Sequence, residues 1–199
     1  MKNKERIYNI LVCGVGGQGI LLAADLIASA AMIDGYDVKK SEVHGLSQRG
    51  GSVESHVRFG ERVFSPLIPK GEADVLLAFE RAESLRWIHY VREREGKVIV
   101  NDVALVPVQV TLGFAEYPEN IEEVLGKFTS QLFFVNAYEK AQEIGNSRVF
   151  NTFLVGVASN FLPIREEAWL KAISETVPSR TIEINKKAFI EGNKWASVQ

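Results

Sequence analysis

The sequence predicts a three-layer α/β fold: a mainly parallel, mixed sheet between helices, with an antiparallel hairpin excursion and a helical C-terminal region. Three observations predict it. Short apolar runs alternate with longer helical segments from the N-terminus onward, the pattern of strands buried on both faces and joined by crossover helices. A Gly-X pair, Gly60-Glu61, interrupts that alternation between two strand-like runs. Beyond Pro163 the chain carries helical patterns and no strand-like run.

The elements follow in order. Ile10-Leu11-Val12-Cys13 is a strand that ends at glycines. Residues 20–33, rich in Ala and Leu and closed near Gly35, form a helix. Only Asp25, Ser29 and Asp34 interrupt its apolar surface, so it must be covered on more than one side, by its own domain or by another subunit. Residues 38–43 make the next strand. Residues 53–59 and 62–64 flank Gly60-Glu61, which reads as a type II′ hairpin. Residues 73–79 are a further buried strand, and 82–94 a helix with an apolar stripe of Leu85, Ile88 and Val91. Residues 97–100 are a strand. Val106, Val108 and Val110 alternate as one face of an extended segment, which Pro107 places at an edge. Asn120 with Glu123 caps a helix carrying Ile121, Val124, Leu125 and Phe128. After a strand over 132–135, Asn136 with Glu139 opens another helix and Gly145 closes it. Helices over 152–161, 164–176 and 186–195 complete the chain. The aromatics Phe133, Phe134, Phe150, Phe153, Phe161 and Trp169 serve packing or an interface.

Composition narrows the function. No linker or repeat divides the 199 residues, so one domain over 1–199 is expected. Basic and acidic residues number 23 and 25. That balance gives no electrostatic case for nucleic acid or an anionic membrane as partner. The single cysteine, Cys13, rules out a disulfide framework or a cysteine-ligated cluster within this chain. The start lacks the apolar core of a signal peptide, and the longest apolar stretch, 20–33, falls short of the ~18 residues of a membrane span. A cytoplasmic protein is expected.

Two segments carry the chemistry. Gly14, Gly16 and Gly19 have the G-x-G-x-x-G spacing between a strand and a helix. Glycine permits a tight turn and close approach to a phosphate, while the helix start presents unpaired N–H groups to an anion. This is the arrangement of a Rossmann-like first turn. A dinucleotide would also need an acid on its ribose about 20 residues later. Glu42 is the nearest, preceded by Lys39, Lys40 and Ser41. Three readings stay open: a dinucleotide, an anionic group of another ligand, or a tight turn without ligand. The second segment is SEVHGLSQRGGSVESHVRFG. There Arg49 beside Gly50-Gly51 offers a guanidinium and a pliable backbone suited to phosphate or carboxylate, or else a glycine hinge with a solvated arginine.

GVGGQGI, then SEVHGLSQRGGSVESHVR, then ADVLLAFE ending in Glu80, together resemble the gamma-type subunit or domain of 2-oxoacid:ferredoxin oxidoreductases. The form VHGLSQRGG is that of the indolepyruvate, or arylpyruvate, branch. The resemblance implies a non-autonomous subunit, inactive alone, of an enzyme that oxidatively decarboxylates a 2-oxoacid to an acyl-CoA. It implies a large partner subunit bearing thiamine diphosphate and [4Fe–4S] clusters, with ferredoxin as electron acceptor of the complex. It further implies that the gamma-type domain helps to hold coenzyme A. Gly14, Gly16, Gly17, Gln18 and Gly19 would be a phosphate-contacting turn. Ser47, Arg49, Gly50 and Gly51 would be a second loop facing the coenzyme or the partner. No catalytic residue and no metal ligand is assigned to this chain. The specific 2-oxoacid, the stoichiometry and a homodimer in isolation stay open.

Two other functions compete: a free-standing NAD(P)-binding dehydrogenase, and an interaction module whose glycine loop is empty. Hydrolase chemistry is disfavoured, because Gly45-Leu46-Ser47-Gln48-Arg49 has Arg49 where a nucleophile elbow needs glycine. His44, His56 and His89 are scattered and lack cysteines to complete a zinc site. Glu80 and Asp102 follow strands, where they either line a crevice or serve helix starts and loops.

Overall fold

The structure, a computed structural model, describes residues 6–44 and 51–197. Its strands are β1 (Tyr8–Val15), β2 (Asp37–His44), β3 (Ser52–Gly60), β4 (Val75–Ala78), β5 (Lys97–Asn101) and β6 (Leu132–Val135). Its helices are α1 (Ile20–Ile33), α2 (Arg81–Trp87), α3 (Val108–Thr111), α4 (Ile121–Gly126), α5 (Ala137–Ile144), α6 (Phe150–Ser159), α7 (Glu166–Thr176) and α8 (Ile182–Ala196). They form the expected α/β architecture. The sheet order is β2-β3-β1-β4-β5-β6. β1, β4, β5 and β6 pair in parallel, and β3 alone runs against both of its neighbours.

Strand alternation feeds two cores, one on each face. Ile10, Val12, Val75, Leu77 and Ile99 point to the layer of α1 and α5–α8. Leu11, Cys13, Leu76, Ala78, Val98 and Val100 point to the layer of α2 and α4. The continuous apolar runs of β1 and β4 follow from this double burial. Ala23, Ala24, Leu26, Ile27, Ala30 and Ala31 of α1 are fully buried. Strands β2 and β3 and helices α6 and α7 of the same chain surround α1. Its apolar surface is thus largely covered from within. At its end Gly35 takes a left-handed φ of +88°, and Asp34 accepts from Arg165 Nε at 2.5 Å, tying α1 to α7.

Several expectations are corrected. The antiparallel excursion is β2–β3, in register from Asp37↔Gly60 to His44↔Val53. It is not a hairpin at Gly60-Glu61. Gly60 is not among the residues with positive φ, so it makes no type II′ turn. Residues 62–64 form no strand, because both edges of β3 are already paired. Instead Val63 N–H donates to Asp37 Oδ2 at 2.8 Å, and Phe64 is exposed. The helix expected over 82–94 ends at Trp87. A 3-10 turn follows, and Val91 then extends to bridge Ala73. Ile88 and Val91 remain buried, so the apolar stripe is real but only partly helical. The extended segment through Val106, Val108 and Val110 is absent. The Pro107 carbonyl accepts from Val110 and Thr111 N–H at 3.0 and 3.1 Å, opening α3, because proline suits a first helical turn as well as a sheet edge. Asn120 precedes α4 without a side-chain cap, whereas Asn136 Oδ1 accepts from Glu139 N–H and Gly145 closes α5 at φ +116°. No described helix is long and apolar enough to cross a membrane.

Candidate functional site

The glycine turn joins β1 to α1 at the carboxyl edge of the parallel strands. β1 leads through α1 to the β2–β3 side, and β4 leads through α2 to β5. The crevice between the ends of β1 and β4 is therefore the point where strand order reverses, the usual place for a ligand in such sheets.

Side chains fix the turn in place. Gln18 is buried; its Oε1 accepts from Val15 N–H at 2.8 Å, and its Nε2 donates to the Phe79 carbonyl at 2.9 Å. It braces the turn against the end of β4 and so positions the neighbouring glycine amides. Asn101 extends the brace, donating to Phe79 O at 3.2 Å and accepting from Ala137 N–H at 3.1 Å. Gly19, the residue before α1, has φ +85°, and a Cβ there would stand 2.6 Å from Asn151 Nδ2. Gly14 is equally confined, since a Cβ would stand 2.7 Å from that of Phe79. Gly17 is exposed. The amides of Gly17 and Gly19 make no hydrogen bond among the described residues, and α1 has no side-chain cap. The turn therefore presents unsatisfied N–H groups at a helix start, an electropositive surface suited to an anion.

The second loop returns to the same edge. Gly16 N–H donates to the Gly51 carbonyl at 2.8 Å, and Val15 stands opposite Ser52 in the β1–β3 register. Gly51 thus meets the glycine turn directly. Ser47, Arg49 and Gly50 lie outside the described residues. Just below the loop exit, Ser52 Oγ donates to Glu83 Oε2, which also accepts from Trp87 Nε1 at 3.3 Å, while Arg86 pairs with Glu83 Oε1 at 3.0 Å. Burial, reinforced by Glu83, pushes the Cys13 thiol well above its usual range, so it stays protonated and inert. Burial also raises the Glu54 carboxyl, and burial with Arg58 lowers His56.

The candidate ribose acid is misplaced. β3 separates β1 from β2, so Glu42 lies two strand spacings, about 10 Å, from β1. It is also ion-paired with Lys40 at 2.5 Å. In a dinucleotide site the acid-bearing strand adjoins the first.

Glu80 is a buried structural anchor. Its Oε2 caps α2 through Glu83 N–H at 2.9 Å; its Oε1 accepts from Leu105 N–H at 3.1 Å and Tyr117 Oη at 2.5 Å. Burial and this carboxylate raise the Tyr117 hydroxyl pKa. Asp102 pairs with Arg81 at 2.5 Å near the surface. Sequence reasoning missed Asn101, Tyr117 and Asn151. Only Asn151 gave a local signal, an Asn near a helix start, and that signal suggests a cap rather than a contact with Gly19.

The family model described as pyruvate ferredoxin/flavodoxin oxidoreductase matches residues 9–195. The chain is 43% identical to the indolepyruvate oxidoreductase subunit IorB of Thermococcus kodakarensis, over 95% of this chain and 96% of that one. It is 32% identical to the ketoisovalerate oxidoreductase subunit VorA of Methanothermobacter marburgensis, over 96% of this chain but 37% of that longer one. A crystal structure of a keto/oxoacid ferredoxin oxidoreductase gamma subunit from Geobacter sulfurreducens superposes with a TM-score of 0.72 at 26% identity, covering 96% of this chain and 99% of that one. The chain belongs to the pyruvate ferredoxin/flavodoxin oxidoreductase family, as the small, gamma-type subunit of a 2-oxoacid:ferredoxin oxidoreductase.

Proposed function

We propose that this subunit serves an arylpyruvate oxidoreductase, with indolepyruvate as the favoured 2-oxoacid, and that its part is to hold coenzyme A and close the assembly. The complex would convert a 2-oxoacid and coenzyme A to an acyl-CoA and carbon dioxide, passing two electrons to ferredoxin. Thiamine diphosphate and [4Fe–4S] clusters on a large partner subunit would supply the carbon–carbon cleavage and the electron path. The single observation that carries the role of this chain is the bond from Gly16 N–H to the Gly51 carbonyl, which joins both glycine loops at the strand-order reversal.

The amides of Gly17 and Gly19, without a partner among the described residues, and the start of α1 suit the diphosphate of a coenzyme. Ser47, Arg49, Gly50 and Gly51 would belong to the wall facing the coenzyme or the partner. The likeness to the indolepyruvate subunit, greater than to the ketoisovalerate subunit, supports the choice of substrate. Exposed Leu105, Val106, Leu112 and Phe114 after β5 support a partner, since apolar surface of this kind marks protein contacts. The position of Glu42 counts against a dehydrogenase. A cytoplasmic location and one gamma-type domain over 1–199 belong to the same reading.

The test is co-expression with the large subunit encoded in the same genome, followed by indolepyruvate-dependent, coenzyme A-dependent reduction of ferredoxin or a viologen dye. The complex should be active, each chain alone inactive, and Arg49→Ala should lower activity without unfolding the subunit. Oxidation of indolepyruvate by this chain alone, or full activity of the partner without it, would overturn the proposal.

A further inference from the structure

A second electropositive cleft, of about 420 Å³, lies beside the glycine turn on the helical side of the sheet. Helices α6 and α8 create it. Thr152 Oγ1 donates to Asn185 Oδ1 at 2.6 Å near one end of the pair, and Asn160 Nδ2 donates to Asn193 O at 2.9 Å near the other. The two helices therefore run side by side in the same direction. Their close approach is visible at Gly156, where a Cβ would stand 2.2 Å from Phe189 O. Parallel packing brings both helix starts to one place, and residue Leu22, in the opening of α1, also lines it. Neither α6 nor α8 is closed by a side-chain cap, so the positive ends of two helix dipoles face the cleft.

Three side chains give this cleft a ligand preference. Arg148 and Arg180, each two residues before a helix, line it and are exposed. Neither makes an ion pair or a side-chain hydrogen bond among the described residues, and no acidic residue lines the cleft. Two cations sharing one cleft without a counter-ion repel each other, and a bound anion relieves that repulsion. Asn151 is the third. It lines the same cleft yet is only 7% exposed. Its Oδ1 is occupied by Thr152 N–H at 2.8 Å, while its Nδ2 donates to nothing among the described residues. The residue is nearly buried, but this donor stays accessible from the cleft, where a ligand can supply its acceptor.

We propose that this cleft is an anion site for a phosphate group, distinct from the glycine turn, in which Arg148 and Arg180 grip the phosphate oxygens and Asn151 Nδ2 donates to them. Guanidinium forks match phosphate geometry in two-point contacts. Because Asn151 also touches Gly19, the phosphate belongs either to the ligand of the glycine turn, as the 3′-phosphate of coenzyme A, or to a separate phosphorylated compound. Only the first source rests on the coenzyme A reading; the site itself does not.

Titration calorimetry and thermal melting of the full chain at low salt test it, with inorganic phosphate, coenzyme A and dephospho-coenzyme A as probes. Arg148→Ala/Arg180→Ala should melt no lower than the wild type without ligand, since both side chains are exposed, unpaired among the described residues and mutually repulsive. Wild type should bind phosphate and melt higher with it, and the double variant should bind it about tenfold or more weakly. Asn151→Ala should weaken it too, but this variant also alters a buried contact and therefore serves only as support. If the double variant weakens coenzyme A but not dephospho-coenzyme A, the phosphate is that of the coenzyme. If coenzyme A binds both proteins equally while phosphate distinguishes them, the source is a separate ligand. Phosphate binding without any coenzyme A binding would uphold this site and refute the coenzyme A reading. Absence of phosphate binding to wild type, or equal binding to the double variant, overturns the proposal.

Discussion

Two loops leave the same edge of the sheet and are held in opposite ways. The glycine turn after β1 is pinned by several short bonds: Gln18 to Val15 and Phe79, and Gly16 to Gly51. It buries its only polar side chain and shows water little but amides. The arm after β5 carries no charged side chain from Val103 to Ala115 and exposes Leu105, Val106, Leu112 and Phe114. The buried Glu80 carboxylate holds it near each end, at Leu105 N–H and Tyr117 Oη. The contrast teaches that order at this edge comes from buried polar anchors reaching across strands, while the groups left outside decide what each loop can meet. Amides meet anions; apolar side chains meet another protein.

That contrast can be broken at its anchors. The largest effect is expected from Glu80→Ala, which removes the α2 cap and both holds on the arm. It should cost about 3 kcal/mol or more in urea unfolding and expose the Leu105 amide to rapid hydrogen exchange. An arm that stays protected would show that other contacts hold it. Gly19→Ala comes next. A left-handed residue with a Cβ costs about 1–2 kcal/mol before the contact with Asn151 is counted, so roughly 2–3 kcal/mol is expected. Gln18→Ala strands the Val15 amide and removes one donor from the Phe79 carbonyl, for about 2 kcal/mol. A loss near zero would mean that the turn is not braced from β4.

A smaller, pH-dependent effect belongs to Glu54, beside the loop exit. Its raised folded pKa means the folded state holds this proton more tightly than the unfolded state. The stabilisation is complete below the unfolded pKa and is lost as pH rises through the folded value. Glu54→Gln should therefore gain melting temperature relative to wild type between pH 4 and pH 8; a difference independent of pH refutes the burial argument. The smallest effect on folding is expected from Phe114→Ser, within about 0.5 kcal/mol of wild type because the side chain is already exposed. The same variant should weaken co-purification with the large subunit, and an unaltered yield of complex would remove the arm from the interface.

Legibility divides along range of interaction. The helix over 20–33 has the same bounds in sequence and structure, and Asn136, Glu139 and Gly145 frame α5 as their spacing indicates. In both cases the groups that decide the outcome are within a few residues of one another. The misplaced hairpin at Gly60-Glu61 shows the opposite case. Its local signal is sound, but β3 pairs with β1 and β2 over long separations, which leaves residues 62–64 no edge to join. Pro107 fails similarly, because its fixed φ suits a helix start as well as an edge strand.

By itself the sequence determined the alternation of strands and helices, the glycine turn and the two-motif pattern that marks the family, since these depend on local sterics and on order along the chain. The tertiary structure alone decided that Gln18 is a brace, that Glu42 is two strands away from the turn, and that Arg148 and Arg180 share a cleft. Each of these outcomes depends on which surfaces remain once distant segments have packed, and burial and pairing across such separations leave no local trace in the chain.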